Sequence, residues 1–199
     1  CFEQIKDDFG YQKLGGNIVS VGASYDYAAL GCTHHCPADV NLLMNIPDLQ
    51  IITPGTSEEF DVLFKQSYNN GKIKYFRLSE RENQKKVPVK FGEANVIKKG
   101  RLGTVVAVGP LLDKVLKATE NMDVTVIYLT TLRPFDAKRI KKNITGNKIL
   151  ICEPYYSRAI TSEIIKASAG PLKIDFLGVP NEFLTNYGTV EEHENYIGF

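Results

Sequence analysis

Apolar positions along the chain recur with two periods, and each period predicts a different element. Phe2, Ile5 and Phe9 fall at helical spacing, so the opening segment reads as an amphipathic helix. A short buried strand is predicted over 17–21, followed by a loop rich in Gly, Ala and Tyr that runs to the stretch GCTHHCPAD at 31–39. Pro37 suits a first helical turn, Val40, Leu43 and Met44 give that helix an apolar face, and Pro47 stops it. A strand is expected over 49–52. Thr56 with Glu59 three residues on is a capping-box signature, and Phe60, Leu63 and Phe64 continue one helical face. A strand at 73–78 closes this half.

From 79 to 100 the chain turns polar and loses sustained periodicity, which predicts a linker. Beyond it the alternation is regular. Strand 104–108 leads through Gly109-Pro110 into a helix faced by Leu112, Val115, Leu116 and Thr119. Strand 124–129, helix 137–143, strand 148–152, helix 161–169 and strand 173–179 follow. Apolar strands alternating with amphipathic helices predict an α/β fold, with two mostly parallel-sheet three-layer units. The expected boundaries are a first unit at 1–85, a charged linker at 86–100 and a second unit at 101–199.

Charge narrows the partners. With 24 Lys and Arg against 23 Asp and Glu, the formal net charge is +1, which gives no electrostatic reason to expect nucleic acid or an anionic membrane. The longest nearly unbroken apolar run, 105–112, is far short of the roughly 20 residues a spanning helix needs. No basic-then-apolar signal segment opens the chain. Four cysteines (Cys1, Cys32, Cys36, Cys152) do not suggest a disulfide framework, so a reduced, cytoplasmic setting is expected, with Cys152 a small core residue. Cys1 stands where a start methionine would, inside a helix already under way, and the chain therefore reads as a fragment or as one half of something larger.

The cluster at 31–39 admits three readings. Zinc needs four ligands in a tetrahedron, usually from two separated pairs, and Cys32, His34, His35 and Cys36 are too close in sequence to converge on one ion. His193 is the only other histidine, so no second pair completes a shell, and no metal site is expected. The histidines can instead cap the following helix or fill a polar cleft. Alternatively, a loop that leaves a strand and enters a helix is where open α/β sheets place ligands, and a neutral imidazole there can hydrogen-bond a hydroxyl or phosphate oxygen. On that reading His34 and His35 contact substrate or cofactor.

Taken in order, these segments resemble the thiamine-diphosphate enzymes of the transketolase family. CFEQIKDDFGYQ is similar to the helix that follows the cofactor's pyrimidine pocket. CTHHCPADVNLLMNIPDLQIITPGTSEEF resembles the block G-P-T-H-[QH], x-D/E, helix, I-P-N-L, strand, P-x-[DN]-x-x-E. GTVVAVGP, VTVIYLTTLRPFD, ILICEP and GVPNEFLTNYGTVEE resemble the successive blocks of the C-terminal domain. The resemblance covers essentially the whole chain. It implies that 1–85 is the latter part of a pyrimidine-binding domain and that 101–199 is the transketolase C-terminal domain. It also implies thiamine diphosphate and Mg²⁺ as cofactors, held mainly by an N-terminal region outside this chain. The partners implied are that N-terminal half or subunit, a second copy in a homo-dimer, and a sugar or keto-acid substrate.

By the same resemblance His34 is the family's catalytic histidine, and His35, Arg77, Arg81, Asp26 and Asp39 are the expected substrate contacts. Several positions depart from the pattern. The family aspartate before G-P-T-H is Leu30, the proline is Cys32, and a second histidine, twelve residues before His34, falls on Gly22. The phosphate-gripping arginine of S-R-x-x-N falls on Glu80, one residue from Arg81. Near the C-terminal domain's E-x-H and Gly-Gly block the chain has EPYYSRA. Exchanging Arg for Glu turns a charge-assisted bond to phosphate into a repulsion. Either the substrate is unphosphorylated or differently activated, contacted by Tyr25, Asp26 and Tyr27, or Arg81 takes the phosphate. Packing roles compete with these: Tyr25 and Tyr27 as interface residues, Arg77 as a solvated strand-end charge. The expected activity is a transferase moving a two-carbon ketol or acyl unit to an aldehyde, in carbohydrate metabolism. The alternatives are a non-catalytic assembly module of the same fold and a keto-acid dehydrogenase β-subunit.

Overall fold

Two sheets form where the apolar runs placed them, and a three-residue strand of the second unit, Thr131–Arg133, pairs with the sheet of the first. The computed structural model describes residues 1–199. Its first unit opens with α1 (Phe2–Gln4), continued by a π-helical stretch over Ile5–Tyr11. Then come β1 (Gly16–Ser20), α2 (Asp39–Leu43), β2 (Gln50–Ile52), α3 (Ser57–Ser67) and β3 (Ile73–Arg77). The three strands run parallel in the order β1-β3-β2. β3 is central and buried at every position, whereas β1 is an edge whose side chains alternate between half-buried and exposed.

α3 starts on Thr56, whose hydroxyl accepts the Glu59 amide at 3.1 Å. The reciprocal arm differs from a capping box: the Glu59 carboxylate takes the Gly55 amide, at 2.7 Å, and also the Tyr128 hydroxyl at 2.7 Å. Burial holds this carboxyl above its usual range.

The second unit contains β4 (Asn95–Lys98), β5 (Thr104–Val108), α4 (Leu112–Ala118), β6 (Thr125–Leu129), β7 (Thr131–Arg133), α5 (Ala137–Asn143), β8 (Lys148–Tyr156), α6 (Thr161–Ala167), β9 (Lys173–Val179) and α7 (Val190–Ile197). The sheet order is β4-β6-β5-β8-β9, parallel except for β4. β4 lies inside the segment expected to be linker. The fold is α/β, with two mixed, mostly parallel sheets. No helix is long and apolar enough to cross a membrane.

The two sheets share their interior. β7 leaves its own unit and pairs antiparallel with β2, Ile51 opposite Arg133 and Ile52 opposite Thr131. Arg133 then donates to the Ile46 and Met44 carbonyls at 2.8 Å each. One cluster of 20 buried hydrophobics contains Val40, Ile51 and Tyr75 from the first unit with Val106, Ile127 and Ile164 from the second, so neither unit has a private core.

Candidate functional site

The chain between β1 and α2 forms a lasso. Its neck is a two-bond bridge, Ser24 amide to Cys36 carbonyl at 3.2 Å and Cys36 amide to Ser24 carbonyl at 2.9 Å. Two short 3₁₀ turns, Ala28–Leu30 and Cys32–His34, fill the loop. The lasso tip is exposed, with Leu30 53% accessible. His34 also faces solvent, and its Nδ1 lies 3.1 Å from the neighbouring Thr33 hydroxyl. Gly22 has φ +80°, and a Cβ there would sit 2.3 Å from the Tyr27 ring. Tyr27 therefore fills the space that a histidine at that position would need.

Beneath the lasso neck lies a buried ion pair. Arg77, at the end of β3, donates from Nε to Asp39 Oδ2 at 2.8 Å and from Nη2 to the Ser24 hydroxyl at 2.9 Å and the Cys36 carbonyl at 3.1 Å. Tyr75 donates to the same Asp39 oxygen at 2.7 Å, and the guanidinium carbon stands 5.5 Å from the centre of the Tyr155 ring. The Arg77 and Asp39 side chains are only 2% and 9% accessible. Arg77 is thus not the solvated strand-end charge considered above; it holds the lasso to the sheet.

Asp26 and Arg81 are likewise engaged. Asp26 accepts from the Ser79 hydroxyl at 2.9 Å and the Glu80 amide at 3.0 Å, fixing the turn after β3. Arg81 reaches across the seam to α7, with Nη1 2.6 Å from Glu194 and Nη2 3.0 Å from Glu191. Lys114 of α4 meets the same Glu194 oxygen at 2.7 Å. Asp26, Arg77, Arg81, Lys114 and Glu194 all line one cleft of about 480 Å³, mouth included, between the units.

His35 goes elsewhere. Its ring packs edge-on against Tyr25, with centroids 4.9 Å apart, and against His193 of α7 at 5.1 Å; Tyr25 and His193 are 5.2 Å apart. His193 Nδ1 lies 2.9 Å from the Thr189 carbonyl. The Tyr25 hydroxyl and both imidazole Nε2 atoms are buried without a protein partner. Burial, then the neighbouring His193, lowers the His35 pKa, and burial with Tyr156 and Glu182 nearby raises that of Tyr25.

The structure therefore gathers Asp26, Arg77 and Arg81 around one cleft, sets Asp39 beneath Arg77, sends His35 to a second chamber, and leaves His34 on the surface outside both. Sequence reading missed His193, Lys114 and Glu194. The signal for the last helix was present: Thr189 and Glu192 form a complete capping box. No group of three or more His, Cys, Asp or Glu side chains is placed to hold a metal ion.

No family model matches the chain. It is 34% identical over 202 residues to an uncharacterized 33.6 kDa protein in the fasciation locus of Rhodococcoides fascians, covering 98% of this chain and 64% of that protein. It is 30% identical over 162 residues to the 1-deoxy-D-xylulose-5-phosphate synthase of Thermotoga petrophila, covering 76% of this chain and 26% of that one. In fold it matches a split-gene transketolase described as an inactive β4 tetramer, with a TM-score of 0.79 and 21% identity over 92% of this chain and 63% of that one. The chain thus spans between about a fifth and two thirds of the curated relatives it matches.

Proposed function

We propose that the chain, which is similar to the C-terminal regions of 1-deoxy-D-xylulose-5-phosphate synthases and shares the fold of a split-gene transketolase, is the substrate-facing part of a thiamine-diphosphate transferase of the transketolase family, completed by a second polypeptide region. The observation that carries this reading is His34. Every other candidate polar residue near the lasso is bonded or buried inside the chain, whereas His34 stands exposed with only Thr33 at hand. An exposed imidazole at the end of a parallel sheet can hand a proton to a substrate oxygen or take one from it.

The residues present do not suit the cofactor's anionic end. Arg77 is consumed by Asp39, Arg81 by two glutamates, and no carboxylate cluster offers oxygen ligands for Mg²⁺. The diphosphate and its metal would be held by the partner region, and that group supplies carbanion stabilisation when bound. This chain would contribute His34 at the reacting oxygen. β1, unpaired on its outer edge, offers the partner region a place to extend the sheet.

A second reading, an assembly module without catalysis, is favoured by Leu30, an exposed apolar side chain where the family carries aspartate. One experiment separates the two. The chain is combined with a diphosphate-binding region, thiamine diphosphate and Mg²⁺, and ketol transfer from a ketose or keto acid to an aldehyde is measured. Activity lost on His34→Ala, with the complex intact, supports the enzyme. No transfer from any donor, with an intact complex, supports the module.

A further inference from the structure

α7 is held by contacts of an unusual kind for a helix that closes a cleft. Its one fully buried side chain is His193, a polar group with an orphaned nitrogen. Val190 and Ile197 add only partly buried apolar contact. The rest of its hold is ionic, Glu191 on Arg81 and Glu194 shared between Arg81 and Lys114, all partly solvated and therefore weak. Yet Val190, Glu194 and Ile197 form one wall of the seam cleft. A wall that is attached mainly by charges and an imidazole is a candidate for movement.

We propose that α7 is a lid on the seam cleft, released when His35, packed against His193 of that helix, takes up a proton, and that its release bares Arg81 and Lys114 to a small anion such as phosphate or a carboxylate. This holds whether or not the cofactor reading of His34 is right. The trigger follows from geometry. The His35 ring lies 5.1 Å from that of His193 with its Nε2 out of water and unpartnered, so a charge gained there is poorly accommodated. The groups facing the pair are few. From the lasso come Tyr25, His34 and Cys32, from β8 Tyr156, from the loop after β9 Glu182, and from α7 itself Glu192, whose carboxylate is already bonded to the Thr189 amide at 2.7 Å. Glu182 is placed against the Tyr25 phenol, and the largest influence on His35 after burial is His193. A proton on His35 therefore faces a neighbouring imidazole and no hydrogen-bond acceptor at Nε2.

The anion follows from the lid's own chemistry. Glu194 Oε1 sits between a guanidinium nitrogen at 2.6 Å and an ammonium at 2.7 Å, contributed by different units. That is the arrangement an external oxyanion would take once the helix leaves.

Amide hydrogen exchange on the full chain tests the lid. Between about pH 7.5 and pH 5.5, after correction for intrinsic exchange, protection of the α7 amides should fall about tenfold relative to those of α5. In His35→Phe, which keeps a ring in the chamber and removes the titrating group, that loss should vanish. If this variant does not fold, His35→Gln serves in its place. Equal protection at both pH values, or a loss that persists in the variant, overturns the lid. Inorganic phosphate and acetate, titrated separately, test the anion. Each should bind more tightly at the lower pH, and Glu194→Gln should reproduce the tighter binding at the higher one. A stronger response to one of the two identifies the headgroup. No binding of either to Glu194→Gln overturns the anion site and leaves the lid to stand on exchange alone.

Discussion

Replacing Arg77 by Met should destabilise the fold severely, because it orphans a buried carboxylate. Arg77 and Asp39 are 2.8 Å apart and nearly inaccessible. With an effective dielectric constant of about 20, that separation corresponds to roughly 6 kcal/mol of attraction. Desolvation of both ions offsets much of this in the intact pair. Removing the cation leaves Asp39 with the Tyr75 hydroxyl as its remaining donor, and a broken buried pair costs about 3–5 kcal/mol. For a chain of this size that is a fall in melting temperature of roughly 10 °C. Removing both charges in Asp39→Ala/Arg77→Met should restore a large part of the loss, since the uncompensated charge is gone. Urea midpoints for the four proteins give the coupling energy directly. A single Arg77→Met variant within about 1 kcal/mol of the parent would refute the reasoning. It would return Arg77 to the role of a substrate ligand, whose loss weakens binding and spares stability.

Three further outcomes are expected. His34→Ala should leave the urea midpoint within about 0.5 kcal/mol of the parent, because the ring is exposed, and on the proposed function it should abolish ketol transfer by the chain combined with a diphosphate-binding region. Glu153 is fully buried and its carboxyl is pushed up to about 7, burial outweighing the Arg158, Ile160 and Ala159 amides that it accepts. Its folded form keeps a proton that the unfolded chain gives up near pH 4, so this group's contribution should fall by about 3 kcal/mol as pH rises to 7 and stay flat above. Glu153→Gln should remove that limb from a pH series of urea midpoints; an unchanged limb assigns it to another group. His35, lowered by burial, acts in the opposite sense and costs stability as pH falls through the imidazole range. Gly55→Ala should cost about 3 kcal/mol, since its Cβ would lie 2.2 Å from Asn83 Nδ2, 2.3 Å from Tyr128 Oη and 2.7 Å from the Gly109 carbonyl. A variant as stable as the parent would show that this corner of the seam can yield.

Strands buried on both faces were legible because each is an apolar run between turn signals. β5 and β6 lie within the expected limits, and helix 137–143 matches α5 residue for residue. The elements that escaped are those whose sequence is governed by contacts far away. β4, with half-buried Asn95 and Lys98, pairs on one side only, so no apolar run marks it. β7 is three residues long and owes its existence to β2, some eighty positions earlier. α7 escaped because its buried residue is a histidine. The site was legible in part for the same reason. The residue types at 26, 34, 35, 39, 77 and 81 signalled chemistry, but only packing could reveal which cations were already answered by carboxylates. The sequence showed Arg77 and Arg81 as charges; it did not show their counter-charges.

The strand that crosses between the sheets limits how such a chain can be rearranged. A recombination point placed in the hydrophilic stretch near residue 90 looks harmless from composition, but each product would lose half of a shared rung: Ile51 and Ile52 on one side, Thr131 and Arg133 on the other. The two units must then be inherited, expressed and engineered as one cassette.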